Sequence, residues 1–147
     1  MKKIAIGVLS RQSGVKVPTI RFYEQIGLLP EPPRTQSNRR TYGGEDVKRL
    51  QFIRHARQLG FDLGDIRALL AMTREPQASC DAADSIARRH IAEIDRRITH
   101  LAALRNELQR MVEACGHGQV CDCQVIEALA DHQHCLSDHD PPAVFQT

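Results

Sequence analysis

Five cysteines are the residues in this sequence with the clearest capacity for chemistry. Four of the five lie between Cys115 and Cys135, in the company of His117, His132 and His134. Thiolate and imidazole groups are preferred ligands of soft metal ions, and in a reducing compartment clustered thiols serve metal or redox chemistry more often than structural disulfides. The spacing therefore predicts a metal or redox site.

A long helix must position these thiols. Residues 82–114 contain neither Pro nor Gly, and their apolar positions step by three and four: Ile91, Ile94, Ile98, Leu101, Leu108 and Val112. This period predicts one helix with a narrow apolar seam, and because charged residues surround the seam, it predicts a second copy of the chain as its partner.

The helix separates two of the cysteines. Cys80 precedes it and Cys115 follows it. At a rise of about 1.5 Å per residue the helix is about 45 to 50 Å long, so these thiols cannot meet within one chain. If two seams pair antiparallel in a homodimer, Cys80 of one chain arrives beside Cys115 of the other.

Charge is divided unevenly along the chain. Residues 1–60 hold 12 Lys and Arg against 4 Asp and Glu, whereas residues 61–147 hold 8 against 14. The basic half has the electrostatic footprint of a nucleic-acid binder.

No run has the length of a transmembrane span and the N-terminus does not fit a signal peptide, so a cytoplasmic location is expected. No nucleophile with its base and no phosphate loop is present, so an enzyme is not expected.

Two short helices are predicted at the N-terminus, over residues 4–13 and 18–26. Gly14 ends the first, Pro18 begins the second, and Gly27 stops it. Together they predict a helix-turn-helix. The second helix is predicted to bury Ile20, Phe22 and Ile26 and to expose Thr19, Arg21, Tyr23 and Glu24. Of the exposed residues, Thr19, Arg21 and Tyr23 are the candidate DNA contacts.

Residues 28–42 predict a basic wing. Three prolines forbid a helix here, and Ser37-Asn38 suits a tight turn between two extended arms. Arg39, Arg40 and Tyr42 are the candidate DNA contacts, suited to the backbone or a narrow minor groove.

The remaining segments complete a mainly α architecture. Helices are predicted over 45–59 and from 63 to about 73, with Gly60 between them and Asp62 as a cap, and a final short helix over 123–130. The predicted organisation is a winged helix-turn-helix domain with connecting helices (1–73), a linker (74–81), the dimerisation helix (82–114), a metal-binding loop with a short helix (115–131), and a His- and Cys-containing tail (132–147).

This order of parts resembles the MerR family of bacterial regulators. The run IGVLSRQSGVKVPTIRFYEQIGLLPEP is similar to the family's N-terminal signature, and NRRTY stands where the family has Asn, an aromatic residue, Arg, any residue and Tyr. The resemblance implies a dimer on palindromic promoter DNA, with long helices crossing antiparallel. It also implies that the metal-loaded protein bends and undertwists the promoter so that RNA polymerase engages it.

The resemblance further implies metal ligands. Cys80, Cys115 and Cys123 fall on the positions used by metal-responsive members, the first supplied by the partner chain. Cys at position 80 resembles the sensors of divalent metals, although the seven residues between Cys115 and Cys123 are closer to the copper(I) type. Three sulfurs suit mercury(II) or lead(II), whereas zinc(II) needs a fourth ligand, for which His117 and Cys121 are candidates. The expected cofactor is a divalent soft metal ion, with zinc favoured over cadmium, lead or mercury.

Two further functions stay open at this point. A redox regulator would use Cys115, Cys121, Cys123 and Cys135 for an iron–sulfur cluster or a disulfide switch. A structural zinc protein would hold the ion without responding to it, and chelation would then unfold it. A copper(I) sensor is the alternative within the family.

Overall fold

The computed structural model describes residues 3–114, 118–120 and 123–131. These residues form six helices: α1 (Ile6–Ser13), α2 (Val17–Gln25), α3 (Gly44–Gln58), α4 (Leu63–Met72), α5 (Asp81–Glu113) and α6 (Gln124–Ala130). The extended pairing within the described part of the chain is limited to two antiparallel bridges, Ile4 with Tyr42 and Arg34 with Arg40. The predicted mainly helical fold is confirmed.

The chain divides into two compact units, residues 1–86 and 87–147. The division falls within the first turns of α5. The first unit therefore contains α1 to α4, the segment that follows them and the start of α5, whereas the second contains the rest of α5 and α6. No described helix is long and apolar enough to cross a membrane.

Glycines terminate the helices of the helix-turn-helix as the sequence predicts. Gly14 has φ +76° and its N–H donates to the Ser10 carbonyl over 2.9 Å. Such a left-handed residue is a common helix stop and favours glycine. The α2 helix begins at Val17, one residue before the predicted start at Pro18, and Gly27 at φ +77° follows its end.

The core of the first unit lies among α1 to α4 and the end of the wing. Its fully buried side chains are Leu9, Ile20, Leu28, Leu29, Tyr42, Leu50, Ile53 and Ile66. The α3 helix contributes Leu50, Ile53 and Ala56, which lie three residues apart and therefore share one face of the helix. This helix packs against both α1 and α4 and is the centre of the unit.

The predicted inward face of α2 is wrong at one position. Phe22 is 45% exposed, whereas Tyr23 is 7% exposed. Residues two apart on a helix lie on different faces, whereas residues three apart share one. Because Ile20 faces the core, Tyr23 does too, and Phe22 turns outward.

The wing is a narrow hairpin. Thr35 N–H donates to the Arg39 carbonyl over 2.8 Å and Asn38 N–H donates to the Thr35 carbonyl over 2.9 Å. Asn38 adopts φ +65°, a conformation that Asn tolerates better than most residues. The predicted turn at Ser37-Asn38 is confirmed.

The hairpin of α3 and α4 also matches its prediction. Gly60 lies between the helices at φ +87°, and the Asp62 carboxylate accepts the Asp65 N–H over 2.7 Å. This side-chain cap satisfies one of the N–H groups that a helix leaves unpaired at its start.

Candidate nucleic-acid interface and metal-binding residues

The start of α2 lies beside a basic depression on the first unit. This open depression has a volume of about 440 Å³ and is lined by Gly14, Val15, Lys16, Thr19, Tyr23, Arg54, Arg57 and Gln58. Three of these residues are cationic and come from the turn and from α3. A concave surface with this charge suits a phosphate oxygen.

The three DNA candidates on α2 are placed differently. Arg21 is exposed and Thr19 is partly exposed at the edge of the depression. Tyr23 is largely buried, yet it also lines the depression, and its ring centroid lies 6.0 Å from that of Phe22. Tyr23 therefore belongs both to the core and to the wall of this surface.

The arginines of the wing are also placed differently. Arg39 is exposed at the end of the hairpin. The Arg40 side chain is 34% exposed and its Nε lies 3.3 Å from Oε2 of Glu24, an ion pair without hydrogen-bond geometry. Arg40 is thus held against α2, whereas Arg39 is presented to solvent.

Tyr42 lies inside the first unit, and the prediction that it contacts DNA does not fit its position. The residue is 1% exposed and its hydroxyl donates a hydrogen bond to Oε1 of Glu24. Burial, reinforced by the hydrogen bond to Glu24 and the charge of Glu24, raises the pKa of Tyr42 above that of a free tyrosine. The structure instead gives Tyr42 the role of anchoring the wing to α2.

Glu24 is predicted from the sequence to lie on the exposed face of α2, but the structure buries its side chain. Its side chain is only 7% exposed and receives both Arg40 and Tyr42. A carboxylate near the end of a short helix is typical of a solvated face, and its two partners are distant in sequence. Nothing in the helical period could have identified it.

The described metal-ligand candidates are Cys80 and Cys123. Cys80 is exposed and its carbonyl accepts the Asp84 N–H over 2.9 Å, at the start of α5. Cys123 is half-buried, and its carbonyl accepts the Glu127 N–H over 3.0 Å at the start of α6. The candidates Cys115, His117 and Cys121, and the tail beyond residue 131, lie outside the described residues. Among residues 3–114, 118–120 and 123–131, no three His, Cys, Asp or Glu side chains form a group that could hold a metal ion.

The α5 helix separates the two ends of the candidate site. Its 33 residues correspond to a length of about 50 Å. Its seam residues are all exposed in the single chain, with exposed fractions of 57% (Ile91), 37% (Ile94), 59% (Ile98), 38% (Leu101), 55% (Leu108) and 53% (Val112). The described part of the chain therefore leaves these six side chains exposed.

Comparison with known proteins decides the family. Residues 4–73 match the MerR HTH family regulatory protein model and residues 47–111 match the model described as MerR, DNA binding. Heavy metal-dependent transcription regulator 2 of Rhizobium meliloti (strain 1021) is 40% identical over 126 residues, which is 86% of each chain. The chain belongs to the MerR family.

Other members of the MerR family are similar over nearly the same length. The HTH-type transcriptional regulator ZntR of Escherichia coli (strain K12) is 38% identical, covering 84% of this chain and 90% of its own. The crystal structure of the transcription regulator PbrR691 from Ralstonia metallidurans CH34 in complex with lead(II) superposes with a TM-score of 0.76 at 34% identity, covering 86% of this chain and 98% of its own. Regulators of the MerR family bind promoter DNA as dimers. This chain is accordingly a DNA-binding transcription regulator with metal-responsive relatives.

Proposed function

We propose that this MerR-family regulator is a cytoplasmic, metal-sensing activator of a metal efflux or resistance promoter. Its antiparallel homodimer would bind promoter DNA through α2 and the wing, and would sense a soft metal ion through thiols from both chains. The observation that carries the proposal is the exposed Cys80 at one end of a helix whose other end leads into Cys115 and Cys123, with an uncovered apolar seam between.

DNA recognition would rest on two adjoining surfaces. Thr19, Arg21 and Tyr23 would enter or flank the major groove, with Arg54 and Arg57 adding backbone contacts around the same depression. Arg39 and Arg40 would extend the contact from the wing, and the Glu24 anchor would fix the wing relative to α2. Most of these proposed contacts would be with phosphate, so they would set position and shape more than base sequence.

The thiols fit a soft metal ion by their chemistry and placement. Cys80 is accessible, and a helix about 50 Å long follows it in the chain before the other predicted ligands. The antiparallel pairing of two such helices would bring it to Cys115 and Cys123 of the partner chain. His117 or Cys121 would complete a tetrahedron around zinc, which we favour over cadmium, lead and mercury. A bound ion would supply the bonds that hold the two chains' thiols together.

The same pairing would cover the seam. Six apolar side chains at heptad-like spacing on each chain are the pattern of a two-stranded coiled coil. Activation would require the metal-bound dimer to favour the conformation that distorts the promoter for RNA polymerase. A preference of a few kcal/mol is enough to invert two populations.

Anaerobic titration of the reduced protein with zinc, cadmium, lead, mercury and copper(I), read as transcription from its own upstream DNA, tests the proposal. C80S, C115S and C123S should each abolish the metal response while leaving DNA affinity nearly unchanged. C135S is the matched control, since it removes a cysteine of the tail, and it should respond as the parent does.

Each alternative has its own outcome in this experiment. A response to copper(I) alone would replace the divalent metal, and visible absorbance of the purified protein would indicate an iron–sulfur cluster. Unfolding on chelation, with no transcriptional response to any metal, would indicate a structural zinc protein. Loss of DNA binding in step with loss of metal binding would contradict a sensor.

A further inference from the structure

The C-terminal end of α2 is held by two arginines from different helices. Arg67 of α4 donates from Nη2 to the Ile26 carbonyl over 2.6 Å, and Arg49 of α3 donates from Nε to the Leu28 carbonyl over 2.7 Å. Carbonyls at the end of a helix lack partners within the helix, and cations there also complement its dipole. Arg67 thus binds the C-cap residue of α2 from α4, whereas Arg49 binds from α3 a carbonyl three residues beyond the last residue of α2.

Arg67 lies directly against the turn that ends α2. Gly27 has φ +77°, and a Cβ atom at this position would lie 3.6 Å from Nη1 of Arg67. The guanidinium thus crosses the turn at the residue whose backbone conformation favours glycine. A shift of α4 along its axis would pull on the end of α2 through this contact.

Two sets of hydrogen bonds lie between α4 and Cys80, one in the turns that follow α4 and one across Cys80 itself. Past the end of α4, the N–H groups of residues 73, 74 and 75 donate to the carbonyls of residues 70, 71 and 72, and Ala78 N–H donates to the Glu75 carbonyl. The Ser79 hydroxyl then accepts the Asp81 N–H over 3.2 Å, on either side of Cys80. The segment that the sequence predicts as a linker is thus a short series of turns rather than an extended chain.

We propose that Arg67 is the positioning residue through which α4 moves the DNA-reading helix α2 when Cys80 takes part in binding a metal ion. The proposal rests on the metal-sensing function above. The coupling path runs from Cys80 through the turns of residues 73–79 to α4, and from Arg67 to the Ile26 carbonyl. Arg49 holds the Leu28 carbonyl from α3, beyond the end of α2, so it would fix the segment after α2 without carrying this displacement. Coupling along such a path requires evidence from variants.

The test compares R67M with R49M in the full-length dimer. Three quantities are measured: affinity for zinc, affinity of the metal-free protein for its upstream DNA, and the ratio of transcription with and without zinc. Energy transfer between dyes at the two ends of the DNA reports promoter distortion independently of the polymerase. Because Arg67 is exposed, R67M should fold, and thermal melting checks this.

For R67M we expect both affinities to stay within about threefold of the parent, while the zinc-dependent ratio falls by at least about fivefold, the lower range of allosteric coupling. R67K keeps the charge and part of the reach, so it should recover part of the ratio. R49M should lower DNA affinity or melting temperature and keep the ratio.

An unchanged ratio of transcription with and without zinc in R67M would overturn the proposal. Equal losses of this ratio in R67M and R49M would also overturn it, because they would show that either arginine acts only by stabilising α2 and the segment after it. If the parent protein responds to none of the metals tested, the proposed function fails first. If the parent responds and R67M responds equally, only the role of Arg67 fails.

Discussion

Replacing Tyr42 with Phe separates the two roles that this residue could have. The change keeps the buried ring and removes only the hydroxyl that donates to Glu24, so no cavity is created. A buried hydrogen bond to a charged group contributes about 1.5 to 3 kcal/mol to the free energy of unfolding. Since the Glu24 side chain is 7% exposed, water cannot easily replace the lost donor, and we expect Y42F to destabilise the protein by this amount.

Urea unfolding at one fixed protein concentration measures the loss, because dimerisation contributes to stability. A double-mutant cycle with E24Q isolates the interaction between the two side chains, for which we expect a coupling free energy of at least about 1 kcal/mol. The protein's other tyrosine is the matched control. Y23F removes a hydroxyl at the edge of the basic depression, so it should change stability by less than about 0.5 kcal/mol and should weaken DNA binding.

The opposite pattern would refute this reasoning. If Y42F keeps the parent's stability within about 0.5 kcal/mol and loses DNA affinity, its hydroxyl contacts DNA as the sequence predicts. A coupling free energy near zero would show that the Glu24 hydrogen bond does not anchor the wing.

Three further outcomes follow from the structure. The I98D substitution should raise the dissociation constant of the dimer at least about 100-fold, since two isoleucines each lose about 1.5 to 3 kcal/mol of apolar burial. The control T99D, whose side chain is turned away from the seam, should leave the dissociation constant unchanged. Sedimentation equilibrium measures both variants, and an intact I98D dimer would mean that the seam does not pair. The R39A substitution should lower the salt dependence of DNA affinity by about one unit of log–log slope per chain, and an unchanged slope would remove Arg39 from the phosphate contacts. Because the folded-state pKa of Tyr42 is raised, its contribution to stability is present below about pH 10, the range of a free tyrosine, and is lost as pH rises above it. The free energy of unfolding should therefore fall between about pH 10 and 11 in the parent, and fall less in Y42F. Equal slopes of unfolding free energy against pH in the two proteins would contradict the environment assigned to Tyr42.

Local sequence signals predicted the elements of the fold well. Gly14, Gly60 and the cap at Asp62 act within one turn of their own helix, so their effect is independent of the rest of the chain. The same is true of the wing turn at Asn38. The start of α1 differed by two residues, because Ile4 pairs with Tyr42, and the start of α2 differed by one. The face of α2 was predicted less well because Ile20 and Phe22 have the spacing of a strand.

The candidate site was predicted in type but not in arrangement. Arg39 and Arg40 are adjacent in sequence, yet one is presented to solvent and the other is paired with Glu24. Cys115, His117 and Cys121 lie outside the described residues, so the metal site stays a prediction from spacing and resemblance.

The sequence by itself determined the order and type of the helices, the exposed seam of α5 and the separation of Cys80 from Cys115, because helical period and rise are properties of the local backbone. Only the tertiary structure decided that Glu24 receives Tyr42 and Arg40, and that Arg67 reaches the Ile26 carbonyl. These contacts join residues 16 to 41 positions apart, and which side chains meet over such distances depends on how the helices α1 to α4 and the wing pack into one core.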